Sequence, residues 1–122
     1  MSRRPHVIVV LVEDDPVAST AYAHALVTAD FTVLLPGINA DVLGVVGRQT
    51  APVAVVVEAP RRGPRAELAQ QLARLRPRPA LIAVSGWPRD ELPYADVFDA
   101  YCLKPCSAET VVGLVREAVS RR

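Results

Sequence analysis

The chain has 122 residues, 51% of them hydrophobic and 22% charged, with a formal net charge of +1. That length serves one hydrophobic core, and that composition excludes long disordered segments, so a single domain spanning 1–122 with its core in 5–120 and no separate effector domain is expected. The balanced charge gives no general pull on nucleic acid, and the early apolar run, residues 7–12, is too short for a signal core or a membrane span, so a cytoplasmic protein is expected, with neither nucleic acid nor membrane as partner.

Residues 3–6 read as a short solvated arm. Residues 6–12 (His-Val-Ile-Val-Val-Leu-Val) form a continuous, mostly β-branched run, the pattern of a strand covered on both faces in a parallel sheet. The run ends in Glu13-Asp14-Asp15-Pro16. Adjacent carboxylates repel unless they stay in water or hold a hard cation such as Mg²⁺. Asp15 suits a helix cap and Pro16 the first helical position, followed by Ala18, Ala21, Tyr22, Ala25, Leu26 and Ala29 at helical spacing. His24 falls outside that stripe and reads as a surface residue.

Residues 31–35 predict a second strand, closed by Pro36-Gly37. Asn39 or Asp41 can cap a helix to about residue 49, with Leu43 and Val46 inward. A third strand, 53–58, lies between Pro52 and Pro60 and ends in Glu58. The basic stretch Arg61-Arg62-Gly63-Pro64-Arg65 reads as a solvated turn or as local pairing with nearby carboxylates. A helix over 67–76 follows, with Leu68, Leu72 and Leu75 on one side.

Residues 79–84 predict a fourth strand that ends in Ser85-Gly86. The segment 87–98 carries two prolines, so any helix over 90–97 is short or irregular. Residues 99–104 predict a fifth strand ending in Lys104-Pro105. Ser107 caps a last helix to about residue 121, with Val111, Leu114, Val115 and Ala118 inward and Glu109 placed for a reciprocal capping box.

Strand and helix thus alternate as (βα)₅, which calls for right-handed crossovers and a doubly wound, parallel five-stranded α/β sheet. The strand ends of such a sheet share one edge, so Glu13, Asp14, Asp15, Glu58, Ser85 and Lys104 are expected to converge there. Arginine supplies all but one of the 14 basic residues, and Lys104 is the exception, consistent with a need for a compact, movable ammonium. Cys102 and Cys106 lack a second pair or a nearby histidine, so they read as free thiols rather than zinc ligands. No Gly-x-Gly-x-x-Gly or Walker loop follows any strand, which leaves a nucleotide-binding module without support.

These residues resemble the receiver domain of two-component response regulators, a flavodoxin-like fold, over nearly the whole chain. Glu13 and Asp14 match the acid pair that holds Mg²⁺, so the resemblance implies either Mg²⁺ held weakly by Glu13, Asp14 and Glu58 or its replacement by Lys104. Ser85 matches the switch hydroxyl, Tyr101 the aromatic that changes rotamer on activation, and Lys104-Pro105 the lysine and its following proline, often joined by a cis peptide. The central position departs from the family: Glu58 stands where the phosphorylated aspartate belongs. The segments after Glu58 and from Trp87 to Asp99 are also a few residues short of the family pattern.

The resemblance therefore implies an atypical, stand-alone receiver, not an enzyme, not conventionally phosphorylated and acting through protein–protein binding. Its implied partners are a histidine kinase or a downstream effector, with a homodimer through the last strand and helix. The longer carboxylate of Glu58 either reaches Ser85 or Lys104 and holds an active-like arrangement, or leaves the domain inert as a switch. The alternative from another class is a small phosphohydrolase resembling the haloacid dehalogenase superfamily, whose aspartate nucleophile would fall at Glu13.

Overall fold

The β-branched runs become five parallel strands: β1 (Ile8–Val12), β2 (Thr32–Leu34), β3 (Val53–Glu58), β4 (Ala80–Ser85) and β5 (Ala100–Leu103). They form one sheet in the order β2-β1-β3-β4-β5. The computed structural model describes residues 6–37 and 40–121. Among the described residues four α-helices connect and flank the strands: α1 (Pro16–Thr28), α2 (Val42–Gly47), α3 (Pro64–Leu72) and α4 (Ala108–Ser120). The doubly wound, parallel α/β architecture is as expected, but the link between β4 and β5 is two 3-10 turns, Arg89–Glu91 and Ala95–Val97, rather than a fifth helix. Pro88 and Pro93 punctuate that stretch and leave no room for a continuous hydrogen-bonded ladder.

Side chains alternate across a strand, so each run feeds two cores. Val9, Leu11, Ala54, Val56, Ile82 and Val84 pack with Tyr22 and Leu26 of α1 and with Val111 and Val115 of α4. Val10, Val12, Val55, Val57 and Leu81 pack on the other side with Val46 of α2, Leu72 of α3, and Tyr94 and Phe98, which flank the second 3-10 turn. Coverage on both faces explains why the strands read as unbroken apolar runs.

The helix starts are set locally. Asp15 caps α1, its carboxylate accepting from the Val17 N–H at 3.1 Å, with Pro16 at the first helical position. Asp41 caps α2 through the Gly44 N–H; Asn39, the other candidate, lies outside the described residues, as do residues 3–5 of the arm. The third helix differs from expectation, starting at Pro64 and ending at Leu72 rather than spanning 67–76. Gly63 precedes it with φ 107°, a conformation glycine adopts without penalty, so the turn closes before the arginine stretch ends. At α4, Ser107 accepts from the Thr110 N–H at 3.1 Å and its hydroxyl lies 2.8 Å from that of Thr110. The third helical position is therefore Thr110, and Glu109, one residue early, does not make the reciprocal box.

Candidate functional site: a lysine between two glutamates

In-register pairing brings the strand ends level. Val12 pairs with Val57, Glu58 with Val84, and Ser85 with Leu103. Continuing the strand alternation from Leu11, Val56 and Cys102 puts Glu13, Glu58 and Lys104 on the α1/α4 side of the sheet, whereas Ser85 and Tyr101 follow Ala83 and the other core. The expected site residues thus meet at one edge but in two groups.

In the first group, the Lys104 Nζ lies 3.5 Å from Glu13 Oε1 and 3.5 Å from Glu58 Oε1. The side chain of Glu13 is only 1% exposed, and its Oε1 has this ammonium as its charge partner but no hydrogen bond. Backbone amides fix the other oxygens: the Asp15 N–H donates to Glu13 Oε2 at 3.1 Å and the Asp14 N–H to Glu58 Oε2 at 3.4 Å. Burial, then a hydrogen bond shared with Glu58 and its charge, pushes the Glu13 pKa up. The same hydrogen bond, aided by Lys104 and the Asp14 N–H, holds Glu58 low against its own burial. Desolvation pulls Lys104 down, but the charges of Glu13 and Glu58 together outweigh it, and its pKa is raised. Glu13 is the first of the pair to take a proton, and Glu58 is the persistent anion facing the lysine.

Asp14 is turned elsewhere. Its carboxylate pairs with the guanidinium of Arg65 on α3, which also donates to the Val12 carbonyl at 3.3 Å. Arg65 thus belongs to the pairing alternative read for the basic stretch. Beside this pair opens a cleft of about 400 Å³ walled by Glu13, Asp14, Asp41, Arg65, Glu67 and Gln71. The three acids expected to hold Mg²⁺ do not surround a common point: among the described residues no group of three His, Cys, Asp or Glu side chains is placed to hold a metal ion. Each of the three faces a fixed cation instead, so the donor set as arranged does not fit a divalent ion.

The second group is built on main-chain acceptors. Ser85 is fully buried and donates to the Ala59 carbonyl at 2.6 Å, while its oxygen accepts from the Trp87 N–H at 3.1 Å. It does not meet the Glu58 carboxylate. The Tyr101 hydroxyl donates to the Trp87 carbonyl at 2.5 Å, with Arg89 5.8 Å over its ring, and Arg61 lies 5.4 Å over the ring of Trp87. Tyr94 donates to the Pro60 carbonyl, and burial pushes its phenol up to about 12. The Ser85 and Tyr94 hydroxyls therefore tie the segment after β3 to the end of β4 and the loop that follows it, and the Tyr101 hydroxyl ties that loop to β5. The sequence signalled Ser85 and Tyr101 but not their partners, which are backbone carbonyls.

The Lys104–Pro105 peptide is cis. The cysteines around it correct the expectation of free thiols: Cys102 and Cys106 are joined in a disulfide. The chain reverses between them and brings their Cα atoms to 6.1 Å, within bridging range, a proximity that spacing in sequence does not reveal.

The sequence matches no protein-family model and no curated protein. Solved structures do match. A response regulator from Thermotoga maritima superposes with a TM-score of 0.74 at 19% identity, covering 94% of this chain and 98% of that one. An orphan response regulator of H. pylori gives 0.77 at 16%, covering 96% and 99%. The receiver domain of a sensor histidine kinase from Pseudomonas aeruginosa, solved with a magnesium ion coordinated in its active-site cleft, gives 0.73 at 19%, covering 94% and 98%. The fold of this chain is the receiver fold.

Proposed function

We propose that the chain is an atypical receiver domain of two-component signal transduction that binds a signalling protein, a histidine kinase or a downstream effector, and that Glu58 does not take a phosphoryl group by the conventional reaction. In this reading Glu58 occupies the acceptor position, Ser85 and Tyr101 the switch positions, and Lys104-Pro105 the lysine and proline of the site. The similarity to response regulators supports the signalling role. The observation that carries the finer reading is the pairing of Lys104 with both Glu58 and Glu13 at 3.5 Å.

An aspartate acceptor needs a lysine free to neutralise charge arriving at the transferring oxygens. Here that ammonium already balances two carboxylates. The extra methylene of Glu58 also displaces the carboxylate by roughly 1.5 Å, and in-line attack tolerates little displacement. Nor does Glu58 copy the phosphorylated state, since it carries one charge where a phosphoryl group brings close to two. Ser85 is engaged with Ala59 instead. A domain inert as a switch and read through its surface accounts for these contacts. Lys104 and Arg65 do the balancing that a divalent cation would otherwise do. The phosphohydrolase alternative has less support, because Glu13, at its nucleophile position, is 1% exposed in its side chain and held by Lys104.

Incubation with a small phosphodonor and Mg²⁺, followed by intact-mass measurement, tests the reading. No added phosphoryl mass is expected, and clear modification at Glu58 would overturn it.

A further inference from the structure

The chain has two cysteines and one lysine, and the disulfide closes a five-residue ring, Cys102-Leu103-Lys104-Pro105-Cys106, that contains that lysine. The ring is anchored at both sides. The Lys104 N–H donates to the Ser85 carbonyl at 2.7 Å, and the Cys106 carbonyl accepts from the Tyr22 hydroxyl of α1 at 3.1 Å. Both cysteines are half-buried at the edge strand of the sheet. Nothing in the carboxylate–lysine site calls for sulfur, so the bond stands outside the function proposed above.

We propose that Cys102–Cys106 is a thiol–disulfide exchange site that couples the placement of Lys104 to the redox state of its surroundings, the co-reactant being a dithiol or a pair of thiols, small or protein-borne. In the reducing direction a thiolate of the co-reactant attacks one sulfur, forms a mixed disulfide and expels the other as a thiolate. The second thiol of the co-reactant then resolves the mixed disulfide. Two electrons and two protons pass to the protein, leaving two cysteine thiols and one oxidised co-reactant.

Two features favour exchange over a purely structural bond. A cross-link over so short a loop removes little chain entropy from the unfolded state, so it constrains its own loop more than it stabilises the fold. Neither cysteine is among the buried residues that make up the two cores, Cys106 only packing against the rim of the α1–α4 one, so the ring can open while the buried residues remain packed. Opening frees residues 105 and 106, loosens the Tyr22 anchor, and releases the backbone from which Lys104 reaches Glu13 and Glu58. The inference does not depend on the receiver reading, and its test uses no partner and no phosphodonor.

The whole chain is equilibrated in glutathione buffers from reducing to oxidising, trapped with iodoacetamide and weighed. Conversion between no adduct and two adducts is expected, with far-UV circular dichroism unchanged. Amides of Leu103, Lys104 and Cys106 should exchange about tenfold faster or more in the reduced form, as local opening becomes easier. A Cys102→Ser, Cys106→Ser double variant should exchange fast in every buffer; should it not fold, the wild-type measurement decides alone. The proposal is overturned if both thiols stay alkylatable under oxidising buffer, if exchange around Lys104 is equal in the two states, or if reduction unfolds the chain.

Discussion

The Lys104 ammonium and the Glu58 carboxylate meet at 3.5 Å although β4 lies between the strands that carry them. The lysine reaches back across a strand end to a partner whose own charge is held by Glu13 and the Asp14 amide.

Lys104→Met should leave Glu13 buried beside a second carboxylate with no cation. A loss of about 1–2 kcal/mol is expected at neutral pH, below the cost of breaking a fully buried pair because Lys104 is 34% exposed. The raised lysine pKa means its contribution is fully present below 10.5 and fades only as pH rises through the folded-state value. Urea denaturation at neutral and alkaline pH measures both; wild type and variant should converge at the alkaline end.

Glu13→Gln tests the shared proton. With its pKa raised above 4.5, Glu13 supports folding below that value and weakens it as pH rises through the folded-state pKa, whereas Glu58, held low, does the opposite and loses its contribution as pH falls. The variant lacks the first effect and keeps a hydrogen-bond donor toward Glu58. Relative to wild type it should become progressively more stable as pH rises from the acid range to neutrality, read from denaturation midpoints across that range.

Arg65→Ala should free the Asp14 carboxylate. Because that pair is partly exposed, the stability cost is expected to stay within about 1 kcal/mol. Mg²⁺ titration followed by Trp87 fluorescence should show tighter binding than in wild type, by several-fold. Equal affinity would mean that Arg65 does not compete for the acid pair.

Asp15→Ala should destabilise by about 1 kcal/mol through loss of the α1 cap, and Asp15→Asn by much less. Thermal or urea melts of the two variants provide the comparison.

The parts of this structure that rest on local chemistry were legible in the sequence. Pro16 behind Asp15 marks α1, β-branched runs mark strands with two covered faces, and alternation of strand and helix places Glu13, Glu58 and Lys104 at one edge. What could not be read rests on distances that the folded chain creates. Ser85 bonds to a carbonyl of Ala59, an atom every residue carries. Cys102 and Cys106 pair because the chain reverses between them. Asp14 chooses Arg65 over a shared cation site because α3 begins at Pro64, three residues before the expected start, and so presents Arg65 in its first turn.

The layers on the two faces of the sheet are unequal. α1 and α4 have 13 residues each, whereas the opposite side has α2 with six, α3 with nine and the two 3-10 turns. Segments that short hold their shape through apolar contacts more than through their own hydrogen-bond ladders. Local opening is therefore expected to begin on the α2–α3 side, with amides of α1 and α4 exchanging more slowly than those of α2 and α3. A binding protein that docks on the long helices meets a preset relief, and one that docks on the short ones can remould it at low cost.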